Sequence, residues 1–178
     1  MAGTAGNVIV GAPATFKIAA YLASKAVSLT YIDMGFTDGG VSIDPKTELH
    51  MVTVDQQLGN LAAIPKARDL EIKVKLAEAT IANLGYALAQ AAANTSGTAG
   101  QYFDASAPEI YYQIQIVGKG AAVGVSTTRT MTFWRAYVKD LGSILFKKDA
   151  AQELDLTFGV CEETTGSTTA TYGRFIDS

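Results

Sequence analysis

The stretch Leu70-Glu71-Ile72-Lys73-Val74-Lys75-Leu76-Ala77-Glu78-Ala79-Thr80-Ile81-Ala82-Asn83-Leu84 decides the fold class. Its first half alternates apolar and charged residues with period two, the mark of a strand with one dry and one wet face. The period then changes. From Thr80 to Ala93 the apolar residues Ile81, Leu84, Leu88 and Ala91 recur at spacings of three and four. That pattern predicts a helix capped by Thr80, with a stripe so narrow that it must lie against a sheet.

Outward from this stretch, alternation dominates. Val27, Leu29 and Tyr31 share a face, as do Tyr112, Ile114 and Ile116, with Gln113 and Gln115 opposite. Met131 to Val138 carries packing residues on both faces, and Leu154, Leu156 and Phe158 make a further strand. Gly40–Ile43 and Leu49–Val54 are shorter candidates. The expected fold is mainly β, an antiparallel β-sandwich or barrel with one α-helix packed on it. One domain spans 1–178, with an N-terminal arm over about 1–11, a long inter-strand loop over about 44–66 and a C-terminal tail over about 166–178. Asn94–Gly100 and Glu162–Gly173 read as loops.

Composition points to self-association. Charged residues make up 17% of the 178, against about 25% in an average soluble domain. The hydrophobic set is 48%, and Gly numbers 17. Surface so poor in charge is expected to be covered again by further copies. A net charge of −3 argues against a basic nucleic-acid reader. The sequence has no apolar run near 18 residues, so no membrane span is expected. Residues 1–7 lack the basic, then apolar, pattern of a signal peptide, which leads us to expect synthesis in the cytoplasm.

Catalytic chemistry is thinly supplied. His50 is the one histidine and Cys161 the one cysteine. On the alternation His50 is a half-buried strand residue, and the acids Glu162 and Glu163 beside Cys161 disfavour a thiolate. Gly118–Gly124 resembles a dinucleotide loop but runs into another strand rather than a helix, so it reads as a hairpin connection. Asp44, Glu48, Asp55, Asp69 and Glu71 read as scattered, solvated acids. We expect no catalytic, metal or cofactor residues, and not an enzyme.

The run Glu48 to Leu88 resembles the core signature of phage tail tube proteins, a strand ending in Val-Asp-Gln, a loop, then a strand running into Glu-x-Thr-Leu-x-Asn-Leu. Val54-Asp55-Gln56 match the first part. Glu78, Thr80, Asn83 and Leu84 match the second, with Ile81 in place of Leu. Asn7–Thr15 is similar to the start of major tail proteins of long-tailed phages, and Gly35-Phe36-Thr37 through Gly40-Val41 to the family's Gly-aromatic-Thr-x-x-Gly-Val turn. Thr128-Arg129-Thr130 and Phe133–Ala136 resemble its penultimate strand, while 94–107 match nothing in it.

The resemblance implies homohexameric rings stacked into a hollow tube in the virion, assembled in the host cytoplasm. The implied partners are a tape-measure protein in the lumen, tail terminator and distal tail proteins, and double-stranded DNA that passes without specific binding. Four strands from each of six subunits would give a barrel of about 24, roughly 50 Å across its backbone. Asp44, Pro45, Asp55, Gln56, Pro65 and Lys66 are expected at inter-ring or inter-subunit contacts, and Ile81, Leu84 and Leu88 in helix packing. A contractile-tail or type VI-like secretion tube is the close alternative. From another class, a monomeric β-sandwich could bind carbohydrate on Trp134, Tyr111 and Tyr112.

Overall fold

The computed structural model describes residues 14–23, 25–28, 30–53, 62–89, 95–96, 100–101, 109–120, 128–144, 152–165 and 171–177. Its strands are β1 (Thr15–Ala20), β2 (Ile32–Asp33), β3 (Thr37–Val52), β4 (Ala62–Leu76), β5 (Thr95–Ser96), β6 (Gly100–Gln101), β7 (Tyr112–Lys119), β8 (Thr128–Leu141), β9 (Leu154–Cys161) and β10 (Gly173–Asp177). The helix α1 (Ile81–Ala87) follows β4. The main sheet is antiparallel throughout, in the order β2-β1-β7-β8-β9-β4-β3, with β10 paired to β8. β5 and β6 form a separate two-stranded sheet. The mainly β, single-helix class expected from the alternation is what forms.

The sheet curls on itself. β2 and β3 stand at opposite margins, yet three residues, Met34-Gly35-Phe36, join them. Three residues span about 10 Å at most, so the margins must meet. Met34 N–H donates to the Phe16 carbonyl at 3.0 Å on the β1 side, and Ala77 N–H donates to the Phe36 carbonyl at 2.8 Å on the β4 side. Gly35 alone lies between these two bonds. Inside the curl, Phe16 of β1 and Phe158 of β9, which are not neighbouring strands, stack with centroids 5.8 Å apart. Ile18, Met34, Ile72, Leu76, Ile114, Leu154 and Leu156 fill the rest of this core.

The residues after β4 staple the seam. Gly35 has φ +84°, a backbone conformation that costs a residue with a Cβ about 1–2 kcal/mol. A Cβ there would also meet the Glu78 carboxyl at 2.5 Å. That carboxyl accepts the Phe36 N–H at 3.2 Å. Buried Asn83 donates from Nδ2 to the Met34 carbonyl at 3.0 Å and the Glu78 carbonyl at 2.8 Å. Thr80 caps α1 as its sequence position predicts, accepting Asn83 N–H at 3.1 Å.

Several expectations need correction. The loop over 44–66 is strand at both ends, since β3 runs through Val52 and β4 starts at Ala62; the two pair from Thr37↔Leu76 to Val52↔Ala62. Pro45 and Pro65 read as breakers, but each lies in a strand with a free outer edge, where a missing N–H costs no ladder bond. Among residues 27–31, Leu29 lies outside the described residues, and the others form no strand, Ser28 and Tyr31 being held by Gln113 instead. The Gln113 amide accepts Ser28 N–H at 3.0 Å and Tyr31 O–H at 2.9 Å, and donates to the Ala26 carbonyl. Gln113, expected on a wet face, is therefore fully buried. The C-terminal tail contains β10. Helix α1 ends at Ala87, with Ala89 at φ +51° closing it. The N-terminal arm lies outside the described residues.

Replacing Asn83 with alanine leaves the buried Met34 carbonyl and the part-buried Glu78 carbonyl without their donor, so urea unfolding should show a loss of about 1–3 kcal/mol. Ile81→Ala, two residues away on the outward side of the helix and 45% exposed, should change stability by less than about 1 kcal/mol. Equal losses from both would contradict the seam assignment.

Candidate assembly surfaces

Beyond the curled sheet, β3 and β4 continue as a two-stranded arm. β4 pairs with β9 only from Leu70 to Leu76, so residues 62–69 carry the hairpin about 25 Å further at roughly 3.3 Å per residue. Nearest the sheet its cross-strand pairs carry polar residues, Lys46↔Asp69, Thr47↔Arg68 and Glu48↔Ala67; further out they are Leu49↔Pro65 and Met51↔Ala63 on one face, His50↔Ile64 and Val52↔Ala62 on the other. Both faces of this outer part are thus largely apolar, and Leu49, Met51 and Ile64 are exposed. An isolated two-stranded hairpin is marginal in water. The arm has the composition of a buried element and the surroundings of a surface one.

The expected contact residues fall in different places. Lys66 sits in the arm at a register shift and pairs with Glu48 at 3.1 Å. Pro65 is beside it. Asp44 and Pro45 lie nearer the sheet, where Asp44 holds Lys73 at 2.8 Å. The Lys73 ammonium, with the Ser42 hydroxyl second, keeps the Asp44 carboxyl below its ordinary range. Asp55 and Gln56 lie outside the described residues. In α1, Leu84 and the cap residue Leu88 are partly buried, Leu84 against the core. Ile81, expected in the packing stripe, points outward; the Asn83 amide sets the rotation of the helix, so Asn83 and Ala87 face inward instead.

The outer face of β3, β4, β9 and β8 carries an ion-pair ladder that the sequence did not suggest. Glu71, read as a solvated acid, is 5% exposed. It bridges Lys46 of β3 at 2.6 Å and Lys139 of β8. The bridge crosses β9 at Gly159, the cross-strand partner of both Glu71 and Tyr137. A Cβ at Gly159 would lie 2.5 Å from the Tyr137 ring, so only glycine leaves room there. Hydrogen bonds from Lys139 and then Lys46 hold the Glu71 carboxyl down to about 2, from an ordinary 4.5. Lys75 is likewise held, between Asp38 at 3.0 Å and Glu153 at 2.7 Å.

A second polar cluster lies at the end of β9. The Arg135 guanidinium stacks on Tyr111 at 4.0 Å, and the Tyr21 hydroxyl donates to buried Glu163. Trp134 and Tyr112 are each 4% exposed, and Tyr111 is covered by Arg135. These rings cannot serve as sugar-stacking platforms. His50 is a strand residue as expected but exposed on the arm rather than half-buried, because the arm has no second layer. Among the described residues, no group of three or more His, Cys, Asp or Glu stands close enough to hold a metal ion. Among them, too, no helix is long and apolar enough to cross a membrane.

No protein-family model matches the chain, and no curated protein is significantly similar to it. Among solved structures, it is similar to a chain in the six-fold symmetrised cryo-EM structure of the anti-feeding prophage baseplate. The two share 11% identity with a TM-score of 0.49, over 99% of this chain and 97% of that one.

Because the Glu71 carboxyl is depressed in the folded state, its stabilisation is full above about pH 4.5 and fades as pH falls toward about 2. Thermal melts of wild type and Glu71→Gln should therefore differ most near neutral pH and converge as pH falls to about 2. A difference that stays constant across that window would contradict the bridge.

Proposed function

We propose that this chain is the subunit of a phage-type tail tube, in which hexameric rings stack into a hollow conduit for DNA. One observation carries the reading. Two stretches that resemble the family separately, Gly35-Phe36-Thr37 and Glu78-x-Thr80-x-x-Asn83, are about 40 residues apart in sequence and bond directly to each other at the seam. The resemblance thus falls on residues that determine the fold, not on surface residues of low information.

The physical chemistry agrees. The unsupported apolar arm requires a neighbour, and a neighbour of the same kind accounts for the low charge. The contact roles of Asp44, Pro45, Pro65 and Lys66 belong to this reading, as does a role for Asp55 and Gln56 near the arm's end. The lysines of the outer ladder are tied to carboxylates, so such a surface would not retain a passing phosphate backbone. The tape-measure, terminator and distal tail partners, and a place in the virion, follow from the same reading.

Concentrated protein should form hollow rods of uniform width in negative-stain micrographs. Excising residues 49–66 and joining Glu48 to Ala67, which face each other across the hairpin, through an Asn-Gly turn should leave a folded, monodisperse subunit without rods. Rods of normal length from that variant would contradict the role given to the arm, and compact monomers from the wild type would contradict the tube.

A further inference from the structure

β9 and β10 lie end to end along β8. Cys161 pairs with Arg135, Tyr172 accepts Trp134 N–H, and Gly173 pairs with Phe133. β4 flanks β9 but leaves before reaching β10, and the Tyr172 hydroxyl, donating to the Arg68 carbonyl, ties the two branches together at their base. The sheet therefore forks, with β10 on one tine and the arm on the other. Among the described residues, five of the ten exposed large hydrophobics are here: Leu49, Met51, Ile64, Phe175 and Ile176.

The free backbone edges are not equivalent. β2 offers two residues. From Asp38 to Glu48 the outer edge of β3 carries Asp38, Asp44, Pro45, Lys46 and Glu48 and has irregular register at both ends, the features that discourage strand addition. The arm edge of β4 holds Pro65, Lys66 and Arg68. What remains unguarded is Leu49-His50-Met51-Val52 of β3 and Gly173–Asp177 of β10. Both charges of β10 are engaged within the chain, Asp177 by a two-pronged bond from Arg129 at 2.7 Å and Arg174 over the Trp134 ring at 5.4 Å. Phe175 and Ile176 are left to face a partner.

We propose that residues 49–52 of one copy add as a strand to the β10 edge of the next. The two edges are matched in length and apolar character, and each has a row of backbone groups that no other described residue pairs. Unless two copies exchange it reciprocally across a two-fold axis, a contact between two different surfaces of the same chain is head-to-tail and propagates into a ring or a filament; a reciprocal exchange would give the double variant dimers and no ladder. This deepens the tube reading and rests on it, since it names which margins meet.

The test uses full-length protein with Cys161→Ser, carrying Met51→Cys, Phe175→Cys or both; both side chains are exposed, and a melt checks that each variant is folded. A short bismaleimide is added to concentrated samples before denaturing electrophoresis. The double variant should give a covalent ladder, and a mixture of the two single variants should give dimers that neither single variant gives alone. Rods without a ladder would overturn the edge contact and keep the tube. A ladder without hollow rods would keep the contact and overturn the tube. Dimers from a single variant alone would mean a symmetric contact, and uncoupled single molecules would overturn both.

Discussion

The structure depends on a closure that falls on one residue. A strand at one margin of the sheet is followed, three residues later, by a strand at the opposite margin, and the sheet must curl until these meet. Only Gly35 lies between the last bond to β1 and the first to β4. Its left-handed backbone, the Glu78 carboxyl against it and the Asn83 amide behind it make the turn rigid. The buried core follows, because curling brings Phe16 over Phe158 and encloses the apolar faces of five strands. The short helix is less a packing element than the holder of that amide.

The same closure determines where the molecule is open. With β2 and β3 joined at one end of the barrel, the long strands β3 and β4 run out at the other end past their last neighbour. There the sheet divides, and its unpaired backbone and exposed apolar side chains collect. Elsewhere the outer surface is well guarded: the lysines of its ladder are tied to carboxylates, and the long β3 edge carries a proline and several charges. Guarded edges prevent association and unguarded ones direct it. The contrast between them within one chain underlies the functional reading.

Much of the fold was legible because several strands alternate apolar and polar residues. Leu70–Leu76 and Leu154–Phe158 alternate cleanly and formed as expected. The cap at Thr80 was legible because capping is local. What could not be read required knowledge of neighbours. Pro45 and Pro65 break strands in general but not at free edges, so the arm looked like a loop. The burial of Gln113 could not be read because nothing local shows that Ala26, Ser28 and Tyr31 will bond to its amide. Ile81 fitted the helical period, but an amide bonding two carbonyls outweighed one apolar contact and turned the helix. Glu71 looked like a surface acid until its two lysines arrived from strands on either side, one of them 68 positions away. The candidate contact residues were legible only as a region. That Pro65 and Lys66 stand on a projecting arm while Asp44 and Pro45 lie nearer the sheet, and that β10 exists opposite the arm, are properties of topology.

Amide hydrogen exchange on free subunits and on assembled material tests most directly whether the sheet is closed at Gly35 and open at the fork. The amides of Met34, Phe36 and Ala77 should be slow in both states. Those of residues 49–52 and the outward amides of β10 should exchange fast in the free subunit and become slow on assembly. Fast exchange at the seam, or fork amides equally slow before and after assembly, would contradict the account.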